Sequence, residues 1–112
     1  MDQTPKHIKR ALRQLAGRAY EVELGRALTA LQSQFGRWER GEINAFDLSE
    51  EIHRFHQGPA RELYLCYATG HPKAAVAHAI ATGILERTQI APDVLDELAG
   101  ALSMYETPDP AQ

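Results

Sequence analysis

The sequence is poor in cysteine and lacks long apolar runs. Cys66 is its single cysteine, so no intramolecular disulfide can form and a reducing compartment is favoured. The N-terminal residues are polar and basic without the apolar core of a signal peptide, and no run approaches the roughly 18 apolar residues of a membrane span. We therefore expect a cytoplasmic protein that has no contact with a membrane.

Alternating β-branched residues are also missing, whereas alanine and leucine are abundant, which favours helices over strands. A chain of 112 residues has room for one core of modest size. We predict an all-α fold, a helical bundle of four to five helices with a long N-terminal helix. It forms a single domain over residues 1–106, and a frayed polar tail follows over residues 107–112.

Patterns that indicate catalysis are scarce. The sequence contains no glycine-rich phosphate loop, and the apolar neighbours of Cys66 should suppress its thiolate. No serine lies in a nucleophile-elbow context; the three serines are Ser33, Ser49 and Ser103. We expect a non-catalytic protein without a cofactor.

Charge is divided unevenly along the chain. Residues 1–40 carry eight lysines and arginines against four acids, a balance of +4, whereas residues 41–112 carry four against eleven, a balance of −7. Such a division fits a nucleic-acid-binding arm, but it equally fits intramolecular packing or a contact between subunits.

Two apolar stripes follow each other in the N-terminal third. Both have the 4, 3, 4, 3 spacing of a coiled coil, and they lie about 160° apart at 100° per residue. The first apolar stripe is Ile8, Leu12, Leu15, Ala19 and Val22, and the second is Leu24, Leu28, Leu31, Phe35 and Trp38.

A helix carrying both stripes cannot pack them on one face. Either the helix breaks at Gly25, where no Pro, Asn or Asp supports a turn, or it is continuous over about 50 Å. We favour the continuous helix, which exceeds the radius of gyration of about 13 Å expected for a compact monomer of this length. A homodimer is therefore predicted, with the second apolar stripe at the dimer interface.

The middle of the chain carries the clearest helix signals. Asn44 is a good N-cap with Asp47 as its capping-box partner, and Gly58-Pro59 ends that helix and begins a short one that extends to about Thr69. The apolar face of the helix that starts at Asn44 is predicted to consist of Leu48, Ile52 and Phe55.

Two further helices are predicted in the C-terminal third. One covers residues 72–86 and carries a row of small residues, Ala75, Ala79 and Gly83, along which a neighbouring backbone can approach closely. The other opens at Pro92-Asp93. Its predicted apolar face is Leu95, Leu98, Leu102 and Tyr105.

A partner-binding surface is predicted on the outer side of the middle helix. There a mixed aromatic and polar row, called the Phe46 row, consists of Phe46, Glu50, His53 and Gln57. Glu50 and His53 also have the Glu-x-x-His spacing of di-iron bundles, but no second pair accompanies them, so a metal site is the third-ranked alternative. His53 and His56 at an interface would make assembly pH-dependent.

A basic stripe opposite the first apolar stripe supports the second-ranked alternative, a nucleic-acid-associated regulator. It consists of Lys6, Lys9, Arg10 and Arg13. The acidity of the whole chain and the lack of a helix-turn-helix with a basic second helix count against it. The favoured function is a small helical interaction or regulatory protein that acts through self-association and binding of another protein.

Overall fold

A computed structural model of the protein describes residues 4–106, and within that range it contains helices and no β-strand, as predicted. Four helices have ten or more residues, and a fifth is short. The helices are α1 (Lys6–Glu39), α2 (Ala45–Gln57), α3 (Pro59–Leu63), α4 (Pro72–Ala81) and α5 (Pro92–Glu106). A π-helical turn (Tyr64–Ala68) follows α3 and a 3₁₀ turn (Arg87–Gln89) precedes α5. The predicted tail, 107–112, lies outside the described residues.

None of the helices within residues 4–106 combines the length and the apolar character that crossing a membrane requires.

Helix α1 is continuous through Gly25, which confirms the favoured alternative. The helix tolerates Gly25, because an isolated glycine inside a helix costs only about 1 kcal/mol relative to alanine. Both apolar stripes therefore lie on one uninterrupted helix.

Contacts along the backbone divide the chain into two compact units. Unit 1 combines the described residues up to Ala19 with those from Gly70 onward, and unit 2 comprises Tyr20–Thr69. The prediction of one domain over residues 1–106 stays a prediction.

The core of unit 1 is formed by α1, α4, α5 and the segment that joins α4 to α5. Its buried side chains are Ile8, Leu12, Leu15, Ala16, Ala19, Ala75, Val76, Ala77, Ala79, Ile80, Leu85, Ile90, Val94, Leu98 and Leu102. The first apolar stripe is thus confirmed as core as far as Ala19. Val22 was wrongly included: it is exposed, because the buried face of α1 in unit 1 ends one turn earlier.

On α5 the buried face is turned slightly from the predicted one. Val94, Leu98 and Leu102 recur every four residues and are buried, whereas Leu95 is half-buried. Tyr105, predicted as core, is exposed, and its ring lies 6.1 Å from that of His78 on α4.

Polar contacts on the rim of this core tie the three helices together. The Glu97 carboxylate on α5 accepts hydrogen bonds from the Thr4 hydroxyl at 2.9 Å and from the Lys73 ammonium at 3.0 Å. His7 and Asp93 approach to 3.2 Å at the exposed edge of α1 and α5. Glu97 therefore joins the residues before α1 to the first turn of α4.

Helix α4 ends at Ala81, five residues before the predicted end. Gly83 lies outside the helix with φ +80, so its predicted place in a row of small residues along the helix is wrong. The Gly83 N–H bonds the Ile80 carbonyl and the Ile84 N–H bonds the Ala79 carbonyl, the two bonds of a Schellman motif. The glycine permits this termination, because a left-handed residue is strained when it carries a Cβ.

A substitution pair in unit 1 tests this assignment. We expect Gly83→Ala to lower the free energy of unfolding by about 1 kcal/mol, because no side-chain clash occurs there and only the positive φ is penalised. Gly17→Ala, inside α1 with open space around the added methyl, should raise it by about 0.5 to 1 kcal/mol. Urea titration of both variants checks the opposite signs, and a stabilising Gly83→Ala would contradict the motif.

In unit 2 the start and end of α2 are as predicted. The Asp47 N–H donates to the Asn44 side chain at 2.8 Å and the Asn44 N–H donates to the Asp47 carboxylate at 3.1 Å, a complete capping box. At the other end, the Gly58 N–H bonds the Arg54 carbonyl, and Pro59 occupies the first turn of α3.

The covered face of α2 differs from the prediction at one position. Leu48 is buried and Phe55 is half-buried, but Ile52 is exposed and was wrongly assigned to the core. Glu51, which lies on the opposite side of Leu48 from Ile52, is half-buried. At 100° per residue, this places the covered face on the Glu51 side of Leu48, away from Ile52.

Candidate functional site

The π-helical turn is fixed to α1 by Tyr67. Its ring stacks on that of Tyr20, with 5.5 Å between centroids and 13° between planes. The Tyr67 hydroxyl also donates a part-buried hydrogen bond to the Glu23 carboxylate. Tyr20 and Glu23 lie on the same side of α1, so one aromatic and one polar contact hold the turn against this helix.

The surroundings of Tyr67 keep its phenol protonated. Burial, and then the hydrogen bond and the negative charge of Glu23, raise the pKa of Tyr67 well above its usual range. Burial and then the same carboxylate raise the pKa of the Cys66 thiol. A thiol with a raised pKa is a poor nucleophile, in agreement with the expectation for Cys66.

The raised pKa of Tyr67 predicts a loss of stability in alkali. Above pH about 10 the unfolded chain releases the phenolic proton while the folded chain retains it, so the free energy of unfolding falls as pH rises. Tyr67→Phe removes this dependence. We expect the wild-type advantage over Tyr67→Phe to be full at pH 8 and to shrink as the pH passes 10. Urea titrations across that range measure it, and a constant advantage would contradict the assignment.

The face of α1 that packs within unit 2 is turned by roughly 60° from the second apolar stripe, at 100° per residue. A shallow cleft of about 220 Å³ separates this face from α2 and α3. It is lined by Ala27, Ala30, Leu31, Gln34, Glu51, Arg54, Phe55 and Pro59. Leu31 is therefore the member of the second apolar stripe that faces α2.

Most residues of the second apolar stripe are partly exposed in the single chain. Leu24 and Leu31 are half-buried, but Leu28, Phe35 and Trp38 are 47%, 38% and 44% exposed. Their role as a dimer interface stays a prediction.

The α1 segment that carries these residues has no charge. Residues 27–36, Ala-Leu-Thr-Ala-Leu-Gln-Ser-Gln-Phe-Gly, contain no Asp, Glu, Lys or Arg, although much of the segment is exposed. Exposed helices normally present charged side chains to water, whereas the centre of a protein interface is depleted in them.

Unit 2 also buries little apolar surface of its own. Fifteen of the seventeen buried apolar residues within the described range belong to unit 1, and only Leu48 and Tyr67 belong to unit 2. Large exposed apolar residues have the opposite distribution. Those in unit 2 are Val22, Leu28, Phe35, Trp38, Phe46, Ile52, Tyr64 and Leu65.

All four residues of the Phe46 row are exposed on α2, and Phe46 is 85% exposed. Arg54 lies beside the row, 3.8 Å from the Glu50 carboxylate and 2.8 Å from that of Glu51. Glu50 is therefore associated with a cation of its own helix. The role of the row in partner binding stays a prediction.

The candidate metal site at Glu50 and His53 has no further ligands among the described residues. No group of three or more His, Cys, Asp or Glu side chains that could hold a metal ion is formed by residues 4–106. Glu50 and His53 consequently have no third ligand among the described residues.

The structure divides the basic stripe on α1 into two pairs. Lys9 and Arg13 line a cleft beside the first turn of α4, whereas Lys6 and Arg10 do not line it. The cleft also includes His71 and Lys73, which sequence reasoning missed as site residues. The local signal for them was weak, because His71-Pro72 indicates only a helix start.

Comparison with known proteins provides no further guide to function: no protein-family model matches the chain, and neither the curated proteins nor the solved structures contain a significant match.

Proposed function

We propose that the protein is a non-catalytic interaction protein that self-associates through the second half of α1. A second copy of the chain covers Leu28, Phe35 and Trp38. The observation that carries the proposal is the contrast within unit 2, where only Leu48 and Tyr67 are buried while eight large apolar residues are exposed. Exposed apolar side chains that are concentrated in one part of a chain favour an interaction site there.

A second copy is favoured because the stripe can pair with itself. Its 4, 3, 4, 3 spacing corresponds to the a and d positions of a heptad, whose side chains insert between those of an equivalent helix. The same surface patch then serves both subunits of a two-fold dimer. Phe35 and Trp38 supply large aromatic side chains, the residue type that contributes most to interface stability.

The positions beside the stripe favour pairing of identical helices. In the heptad register, the flanking positions between Leu24 and Trp38 on the side of the stripe away from α2 are Gly25 and Gln32, which are uncharged. Two copies therefore meet without placing like charges opposite each other at these positions, as identical charged helices would.

Light scattering of the wild-type chain at micromolar concentration tests the proposal. We expect a species of about twice 12.5 kDa, present with or without nuclease treatment. A monodisperse species of 12.5 kDa would overturn the proposal. A mass that falls to 12.5 kDa after nuclease would assign the association to bound nucleic acid instead.

A further inference from the structure

We propose that the cleft between the first half of α1 and the start of α4 binds a small phosphomonoester, an organic molecule that carries one terminal phosphate. The cleft has a volume of about 320 Å³ and belongs to unit 1. It is lined by Thr4, Lys9, Leu12, Arg13, His71, Pro72 and Lys73.

The cleft collects positive charge from two helices. Lys9 and Arg13 are four residues apart on α1 and contribute from one side, and Lys73 contributes from the first turn of α4. His71 adds an imidazole. None of the described lining residues is acidic.

The Lys73 ammonium is held in place by its 3.0 Å hydrogen bond to Glu97, which also accepts from the Thr4 hydroxyl at 2.9 Å. Glu97 does not itself line the cleft. A cation oriented in advance loses less conformational freedom when a ligand binds, so this contact favours binding. Arg13 on α1 contributes a positive charge that does not depend on the contact between Lys73 and Glu97.

The first turn of α4 supplies backbone donors to the same cleft. The side chain of His71, the N-cap residue, does not cap the helix, and Pro72 has no N–H. The N–H groups of Lys73 and Ala74 therefore donate no hydrogen bond to that capping side chain. The partial positive charge of a helix N-terminus adds to the side-chain cations.

Phosphate fits this set of donors better than a carboxylate does. Its three terminal oxygens can accept simultaneously from the Arg13 fork, from a lysine and from backbone N–H groups. The buried Leu12 and the half-buried Pro72 form an apolar part of the wall, against which an organic group can pack. A volume near the lower end of ligand pockets, about 300 Å³, restricts the ligand to a small molecule.

The basic stripe provides a matched control within one helix. Lys9 and Arg13 line the cleft, while Lys6 and Arg10, also four residues apart, lie outside it. Lys9→Gln/Arg13→Gln and Lys6→Gln/Arg10→Gln each remove two positive charges from α1. If phosphate binds in the cleft, the first double substitution weakens binding much more than the second does. If the overall charge of α1 attracts phosphate, both double substitutions weaken binding equally.

The experiment is a titration of the full chain with phenyl phosphate and with inorganic phosphate at fixed ionic strength, followed by amide NMR. In the wild type we expect saturable shifts at Lys73 and Ala74, with phenyl phosphate the tighter ligand. Lys9→Gln/Arg13→Gln should weaken binding by at least about tenfold, and Lys6→Gln/Arg10→Gln by less than about twofold. Unchanged dispersion of the remaining amide signals confirms that each variant is folded.

Three results would overturn the proposal. The first is the lack of a saturable shift in the wild type, and the second is an equal loss of affinity in the two double variants. The third is binding of a duplex oligonucleotide that is tighter than that of phenyl phosphate and equally weakened by both pairs, which would assign the basic stripe to nucleic acid. Self-association is measured separately by mass, so the outcome is independent of the proposed function.

Discussion

Replacing Leu28 and Phe35 together with glutamate is expected to convert the dimer into a monomer. Both side chains are exposed in the single chain, at 47% and 38%, so the substitutions should disturb its interior less than a change in the core would. In the proposed dimer they are buried, and the change removes two apolar contacts of about 1.5 to 3 kcal/mol each and places four carboxylates at the interface. The dissociation constant should rise by more than about a hundredfold, which corresponds to about 2.7 kcal/mol.

A control on the same helix distinguishes loss of the interface from added charge. Thr29 and Ser33 are exposed and lie about 140° and 180° from Leu24 on the helix, away from the second apolar stripe. Thr29→Glu/Ser33→Glu adds the same two charges and should leave the mass at about twice 12.5 kDa in sedimentation equilibrium. Equal dissociation of both double variants, or none in Leu28→Glu/Phe35→Glu, would contradict the assigned interface.

Leu98→Ala is expected to have the largest effect on the stability of unit 1. Leu98 is fully buried on α5 and is one of the two largest side chains with no measurable exposure. Truncation in a close-packed core removes apolar contacts and leaves a cavity, at a cost of about 2 to 5 kcal/mol. The total stability of a small domain is about 5 to 15 kcal/mol, so a substantial part of it is lost.

Met104 provides the matched position on the same helix. It is 81% exposed, so Met104→Ala should change the free energy of unfolding by no more than about 0.5 kcal/mol. Urea unfolding, followed by far-ultraviolet circular dichroism, measures both variants. A cost below about 1 kcal/mol for Leu98→Ala would mean that α5 does not form the core of unit 1.

Several parts of the fold that local chemistry determines were predicted correctly. The capping box at Asn44 and the break at Gly58-Pro59 depend on residues within a few positions of each other. Continuity of α1 through Gly25 followed from the lack of turn-forming residues. The predicted end of α4 was wrong. A glycine that follows small helix-forming residues can lie inside a helix or adopt the left-handed conformation that ends it, and local sequence does not distinguish the two.

Predictions about which face is buried were less accurate, because burial depends on residues far away in the sequence. Val22 and Ile52 have the correct periodicity but lie beyond the edge of the covered faces. The contact of Tyr67 with Tyr20 and Glu23 joins positions more than 40 apart, and no spacing rule predicts it.

The basic cleft was predicted only in part, again because it depends on residues that are far apart in the sequence. Lys9 and Arg13 were identified from their spacing on α1, but His71 and Lys73 approach them only through packing in unit 1. Half of the predicted basic stripe therefore lines the cleft, and the other half does not.

The uneven burial of the two units connects these observations. Unit 1 has a core typical of a folded domain, whereas unit 2 has eight large exposed apolar side chains, among them Leu28 and Phe35 on an uncharged helical segment. Such a segment gains stability when apolar surface is covered by a second copy. The stability of unit 2 should therefore depend on protein concentration.

The most direct measurement is hydrogen exchange of the amides of residues 27–38 at low and high protein concentration. Self-association through this face predicts that their protection increases with concentration, because opening then requires dissociation of the dimer. The amides around Leu98 in unit 1 serve as the internal reference, and their protection should change less. Protection of residues 27–38 that is independent of concentration, in a species of 12.5 kDa, would contradict self-association.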